Sequence, residues 1–127
     1  MDELPAGVTD FIQKHLSSVE QIAVLRLLRD DPSRTWAIGD IASELRSSPV
    51  AITRRIEDLE RSGVLLPREH QEEVRYAPSS SETSEAIARV IETYRSRPDR
   101  VIEAIYSKPD EALLAFADAF KLKKEKP

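Results

Sequence analysis

The chain has 127 residues, of which 40% are hydrophobic and 33% are charged, and its net charge is −4. It contains no Cys, which excludes disulfides, thiolate metal sites and a cysteine nucleophile. No apolar run approaches the roughly 18 residues that cross a membrane, and the first ten residues are acidic where a signal peptide is basic, so we expect a cytoplasmic protein of one domain, or one domain with an appendage.

The first part of the chain predicts two helices. The first covers residues 9–16, and its apolar side consists of Val8, Phe11, Ile12 and Leu16. Ser17 and Ser18 are each followed, three positions later, by Glu or Gln, so either can begin a capping box. The second helix therefore starts after these serines and ends near residue 30, before Asp-Pro-Ser. Apolar residues surround most of it, which indicates a central position.

A stub strand and two further helices follow. Residues 35–37 are β-prone, and apolar residues at i, i+3, i+4 and i+7 predict a helix over 38–45. After a break at 46–48, Ser48 is suited to cap a helix and Pro49 to begin its first turn. This helix covers residues 49–61 and ends at Ser62 and Gly63, because glycine readily takes the left-handed conformation after a helix.

The remaining chain predicts a hairpin and three helices. Two β-like runs, 64–66 and 74–77, flank a charged tip. Helices are predicted over 81–94, 98–107 and 109–120, and a proline opens each of the last two. The fold class is therefore mainly α with a small β-hairpin wing, a winged helix-turn-helix plus C-terminal helices. We assign residues 1–80 to the winged helix-turn-helix and residues 81–127 to a helical extension with a basic tail.

The segment from residue 38 to 65, IGDIASELRSSPVAITRRIEDLERSGVL, carries the most specific pattern. Its informative positions are Ile41, Ala42, Leu45, Ser48, Ile52, Thr53, Arg54, Ile56, Leu59, Glu60, Gly63, Val64 and Leu65. With these residues the chain resembles the MarR-type winged-helix transcriptional regulators over about residues 20–78. The resemblance implies that helix 49–61 is a recognition helix in a DNA major groove. It also implies that strands around Arg68 and Arg75 form a wing that reaches phosphates or the minor groove.

The predicted DNA-binding residues lie on the turn, the recognition helix and the wing. Small polar and basic side chains on the outer face of such a helix suit phosphates and base edges. The residues are Arg46, Ser48, Pro49, Ala51, Thr53, Arg54, Arg55 and Arg75. An alternative for Arg54 or Arg55 is an ion pair with Asp58 on a solvated face.

The chain departs from the family pattern in the turn, in the wing and after Tyr94, where the predicted helices are unlike the long dimerising helices of that family. Arg46 and Ser47 stand in the turn where the family usually has glycine and an apolar residue, and a left-handed Arg stores on the order of 1 kcal/mol of strain. The wing carries Glu69, Glu72 and Glu73, and these carboxylates repel phosphates.

Two interpretations are open for the apolar residues of the C-terminal helices. They cover the core of the winged helix, or they form the interface of a homodimer that binds two half-sites. The length of chain beyond the winged helix favours the homodimer. The interface residues are then Ile87, Val90, Ile91, Tyr94, Leu113, Phe116 and Phe120.

No pattern in the sequence predicts catalysis, a metal or a cofactor. His15 and His70 lack the spacing of metal ligands, and the three glycines form no phosphate loop. The predicted function is therefore a sequence-specific transcriptional regulator that binds double-stranded DNA as a homodimer, away from membranes. The alternative is a winged-helix module that binds another protein and no DNA, which the net charge and the acidic wing favour.

Overall fold

The computed structural model describes residues 4–107, which form six helices and a two-stranded antiparallel sheet. The elements are α1 (Ala6–His15), α2 (Val19–Asp30), β1 (Trp36–Ala37), α3 (Ile38–Glu44), α4 (Pro49–Arg61), β2 (Glu73–Val74), α5 (Ser81–Ser96) and α6 (Pro98–Ser107). The predicted fold class, mainly helical with a small β wing, is confirmed. The helix predicted over 109–120, with Leu113, Phe116 and Phe120, lies outside the described residues.

The helix ends follow local rules of capping. Ser18 is the N-cap of α2: its hydroxyl accepts from the Gln21 amide, and the Gln21 side chain accepts from the Ser18 amide at 3.0 Å. The structure thus selects the second of the two capping registers. α1 starts three residues earlier than predicted, because the Pro5 carbonyl accepts from the amides of Val8 and Thr9 and so closes a first turn there.

Ser18→Ala is expected to lower the free energy of unfolding by about 1 kcal/mol, since the cap of a central helix is lost. Urea denaturation followed by circular dichroism measures the change. Ser17→Ala is the matched control, because Ser17 lies outside the cap hydroxyl position, and we expect a change below about 0.5 kcal/mol. A larger effect at Ser17 than at Ser18 would contradict this capping register.

The wing, defined here as residues 64–79, differs in pairing from the predicted hairpin. Its returning strand first pairs with β1, where Trp36 faces Val74. Further along, the same strand pairs with the first arm, because Leu65 bridges Pro78 and the Leu66 amide donates to the Ala77 carbonyl at 2.8 Å. Residues 64–66 therefore pair with a part of the returning strand that begins a few residues later than the predicted 74–77. Val74 is buried beside the stub strand instead.

One hydrophobic core joins both parts of the described chain. α1 packs against α5 and α6, while α2 packs against α4 and α5. Buried side chains from residues 8–74 and from residues 87–105 belong to a single cluster. The predicted boundary near residue 80 therefore does not separate two cores.

Of the seven side chains predicted to form a dimer interface, the four within the described residues lie in this core or against it. Ile87, Val90 and Ile91 are buried within the chain, and Tyr94 is partly buried against the same cluster. Since the surrounding helices already cover them, Ile87, Val90 and Ile91 cannot line an interface with a second copy in this fold. Of the two interpretations, covering the core is the one that fits these residues.

Candidate nucleic-acid interface

The turn between α3 and α4 is a Schellman motif with an arginine in the glycine position. The Ser47 amide donates to the Ala42 carbonyl at 2.8 Å, and the Arg46 amide donates to the Ser43 carbonyl at 3.3 Å. Arg46 has φ 54°, as expected from the sequence, and a side chain in this conformation costs about 1 kcal/mol. The turn therefore holds an exposed guanidinium directly before α4.

α4 begins with a capped and exposed first turn. The Ser48 hydroxyl accepts from the Ala51 amide at 3.1 Å, and Pro49 occupies the first helical position. The opposite end closes at Gly63, whose φ of 85° is left-handed. Both ends agree with the sequence prediction. They set the length and direction of the predicted recognition helix.

The two faces of α4 are sharply different. Ile52, Ile56 and Leu59 are fully buried and hold the helix on the core. The residues that point away from the core form the outer stripe, defined as Val50, Arg54, Glu57 and Arg61, and all four are exposed. Arg61 pairs with Asp58 at 3.2 Å. Arg54 makes no ion pair with any residue of the described chain.

Arg55 lies beside the outer stripe, and its side chain forms an ion pair within the fold. Its Nε donates to Glu20 Oε1 on α2 at 3.1 Å, and both side chains are partly buried. Neither Arg54 nor Arg55 pairs with Asp58, so the alternative ion pair considered from the sequence is wrong for both. We leave Arg55 out of the candidate interface because its guanidinium links α4 to α2.

Arg68 holds the wing on α4. Its Nε lies 3.0 Å from Glu60 Oε2, its backbone amide donates to the same oxygen at 2.8 Å, and its Nη1 donates to the Gln71 carbonyl at 2.6 Å. The two side chains are only 8% and 15% exposed. Of the two arginines around which the wing was expected, Arg68 is therefore already engaged inside the fold.

The rest of the wing presents charges of both signs to solvent. Arg75 is exposed and lines a shallow groove of about 310 Å³ together with Leu66 and His70. Glu69, Glu72 and Glu73 are also exposed, so the wing surface is acidic as expected. Next to it, the guanidinium of Arg34 stacks on the ring of Trp36 at 3.5 Å from its centroid, a cation–π contact that covers this buried tryptophan.

The structure brings part of the predicted set together at the start of α4. Arg46, Ser48, Pro49 and Arg54 are exposed on the turn and the first turns of the helix, whereas Ala51 and Thr53 are partly buried. Sequence reasoning missed Val50. Its position two residues before Ile52 places it on the side of the helix opposite the buried face, and that spacing was the available signal.

Other kinds of site find no support in residues 4–107. No three His, Asp or Glu side chains of this region come close enough to hold a metal ion. None of its helices combines the length and the apolar character needed to cross a membrane. In comparisons with protein-family models, with curated proteins and with solved structures, nothing matched the chain.

Proposed function

We propose that the chain is a DNA-binding transcriptional regulator, as its resemblance to MarR-type proteins implies, and that α4 enters the major groove. The observation that carries this proposal is Arg54, an exposed guanidinium without an ion pair in the described chain, on the outer stripe of the second helix of a helix-turn-helix. Residues near the N-terminus of such a helix contact base edges. A cytoplasmic location is part of the proposal.

The geometry gives different roles to the nearby groups. Arg54 is suited to a guanine edge, which offers two acceptors to a guanidinium. Arg46 and Ser48 lie beside the positive end of the α4 dipole and suit phosphates, which position the helix. Arg75 is the cation that the wing contributes. Because Arg55 and Arg68 are engaged in the fold, the contacts concentrate at the turn and at the start of α4.

Arg46→Ala with Arg54→Ala is expected to weaken binding to a fluorescent mixed-sequence duplex by roughly 10- to 100-fold, and to reduce its salt dependence. The full chain is titrated at about 50 mM and about 200 mM salt, with fluorescence anisotropy as the readout. Arg55 stays in place, because its loss would also break the contact with Glu20.

The matched control is Arg89→Ala with Arg95→Ala. Both arginines are exposed on α5, and the double variant changes the net charge equally. We expect an affinity within about threefold of the parent, since only long-range attraction is reduced. Equal losses in the two double variants would contradict the assignment of α4, and no binding at either salt concentration would contradict DNA binding altogether.

A winged-helix module for protein binding is the second candidate. The pairing of Arg55 with Glu20 and of Arg68 with Glu60 removes two cations from the surface near α4 and leaves the wing acidic. In this case the full chain binds no duplex at about 50 mM salt. Glu72→Lys with Glu73→Lys then abolishes capture of the partner in a pull-down. Retained capture would exclude the acidic wing as its docking surface.

A homodimer on two half-sites also stays a proposal, and its interface must use other surfaces than the buried Ile87, Val90 and Ile91. Sedimentation equilibrium of the full chain with and without duplex measures the stoichiometry. A single chain per duplex at saturation would exclude the homodimer.

A further inference from the structure

Val50 is the most exposed large hydrophobic side chain among the described residues, at 78%. It occupies the second position of α4. Valine does little to stabilise a helix, because β-branched residues are mediocre helix formers. An exposed valine also gains no stability from burial. Because neither the core nor the helix uses this apolar group, it is available for a contact with a molecule outside the chain.

We propose that Val50 contacts the 5-methyl group of a thymine in the major groove and makes binding depend on that methyl group; the inference rests on the proposed function. Among the groups that base pairs present in the major groove, the thymine methyl is the apolar one, and small apolar side chains contact it. Valine is stiff at χ1, so its methyl groups are presented with little loss of entropy.

The position of Val50 relative to Arg54 also fits one base-reading surface. Residues four apart lie on the same face of a helix, and their separation along the axis is about 6 Å. A base-pair step rises about 3.4 Å. For a helix that follows the groove, the thymine lies within about two base pairs of the guanine that Arg54 contacts.

The surroundings of Val50 favour a contact with a thymine methyl group over a contact with a protein partner. The outer stripe continues with Arg54, Glu57 and Arg61, which are charged and exposed. Hydrophobic docking of a protein uses contiguous apolar patches of several hundred Å². A single isopropyl group among charges is far smaller than that, and it matches the size of one methyl group.

The test uses duplexes selected by the full chain from a pool with randomised base pairs. Each is resynthesised with deoxyuridine at one thymidine at a time, which removes only the methyl group. We expect about a fourfold weaker affinity at one position, the effect of burying about one carbon group. Val50→Ser should bind the thymine and uracil duplexes equally, and it should unfold at the same urea concentration because the side chain is exposed.

Leu66→Ser is the control, since Leu66 is an exposed apolar residue of the wing. It should keep the dependence on the methyl group. The inference is overturned if no thymine position matters, or if the methyl effect is the same in Val50→Ser, because the effect would then arise from the shape of the duplex. Failure to select any duplex contradicts the proposed function instead, and this inference with it.

Discussion

Arg68→Ala is expected to lower the free energy of unfolding by about 2–4 kcal/mol, the largest effect of any charged residue in the described chain. The substitution leaves the Glu60 carboxylate mostly buried, with only the backbone amide of residue 68 still donating to it. Removing one partner of a buried ion pair costs more than the pair contributes, because an uncompensated charge stays in a poorly solvated place. Guanidinium denaturation followed by circular dichroism measures the loss.

Arg61→Ala is the matched control for this prediction. Its guanidinium also pairs with a carboxylate of α4, Asp58 at 3.2 Å, but its side chain is 76% exposed. Such surface pairs contribute little, so we expect a change below about 0.5 kcal/mol. If both variants lose the same amount, burial is not what makes the Glu60–Arg68 pair matter. The fluorescence of Trp36, the single tryptophan, reports whether the wing has loosened before the helices unfold.

Ile12→Ala is expected to cost about 2–4 kcal/mol, because it opens a cavity where α1 meets α5 and α6. The transition should remain cooperative: circular dichroism, which reports all helices, and Trp36 fluorescence, which reports β1 and the wing, should give the same midpoint. This follows from the single core that contains side chains of both predicted units.

The control is Ile102→Ala, which removes the same atoms from an exposed position on α6. We expect a loss below about 1 kcal/mol. An Ile12→Ala variant whose helical signal falls before the tryptophan signal changes would show that residues 81–107 unfold apart from the winged helix. In that case the boundary at residue 80 would be a real domain boundary.

Features that depend on neighbouring residues were predictable from the sequence. Ser48 and Pro49 at the start of α4, Gly63 at its end and the left-handed Arg46 all follow from backbone rules that act over a few residues. The buried face of α4 followed from helical spacing. Two local features were not settled: Ser17 and Ser18 both satisfied the capping rule, and the start of α1 at Ala6 was missed.

Features that depend on residues distant in sequence were not predictable. Arg55 pairs with Glu20, 35 positions away, although Asp58 stood nearby on the same helix. Because a third of the residues are charged, the sequence offers an arginine several equally spaced ion-pair partners, and only the packing of the helices selects one of them. The apolar face of α5 raised the same difficulty, since an amphipathic pattern does not say whether its partner is the same chain or a second copy.

The attachment of the wing to α4 has a mechanical consequence. The Arg68–Glu60 ion pair joins the wing to α4. The returning strand is also held at both ends, by β1 and by the first arm. The position of the wing relative to α4 is therefore held. If a duplex contacts both elements, the duplex has to bend or twist to fit them, and steps that deform easily, such as TA and CA, would be favoured at base pairs that no side chain touches.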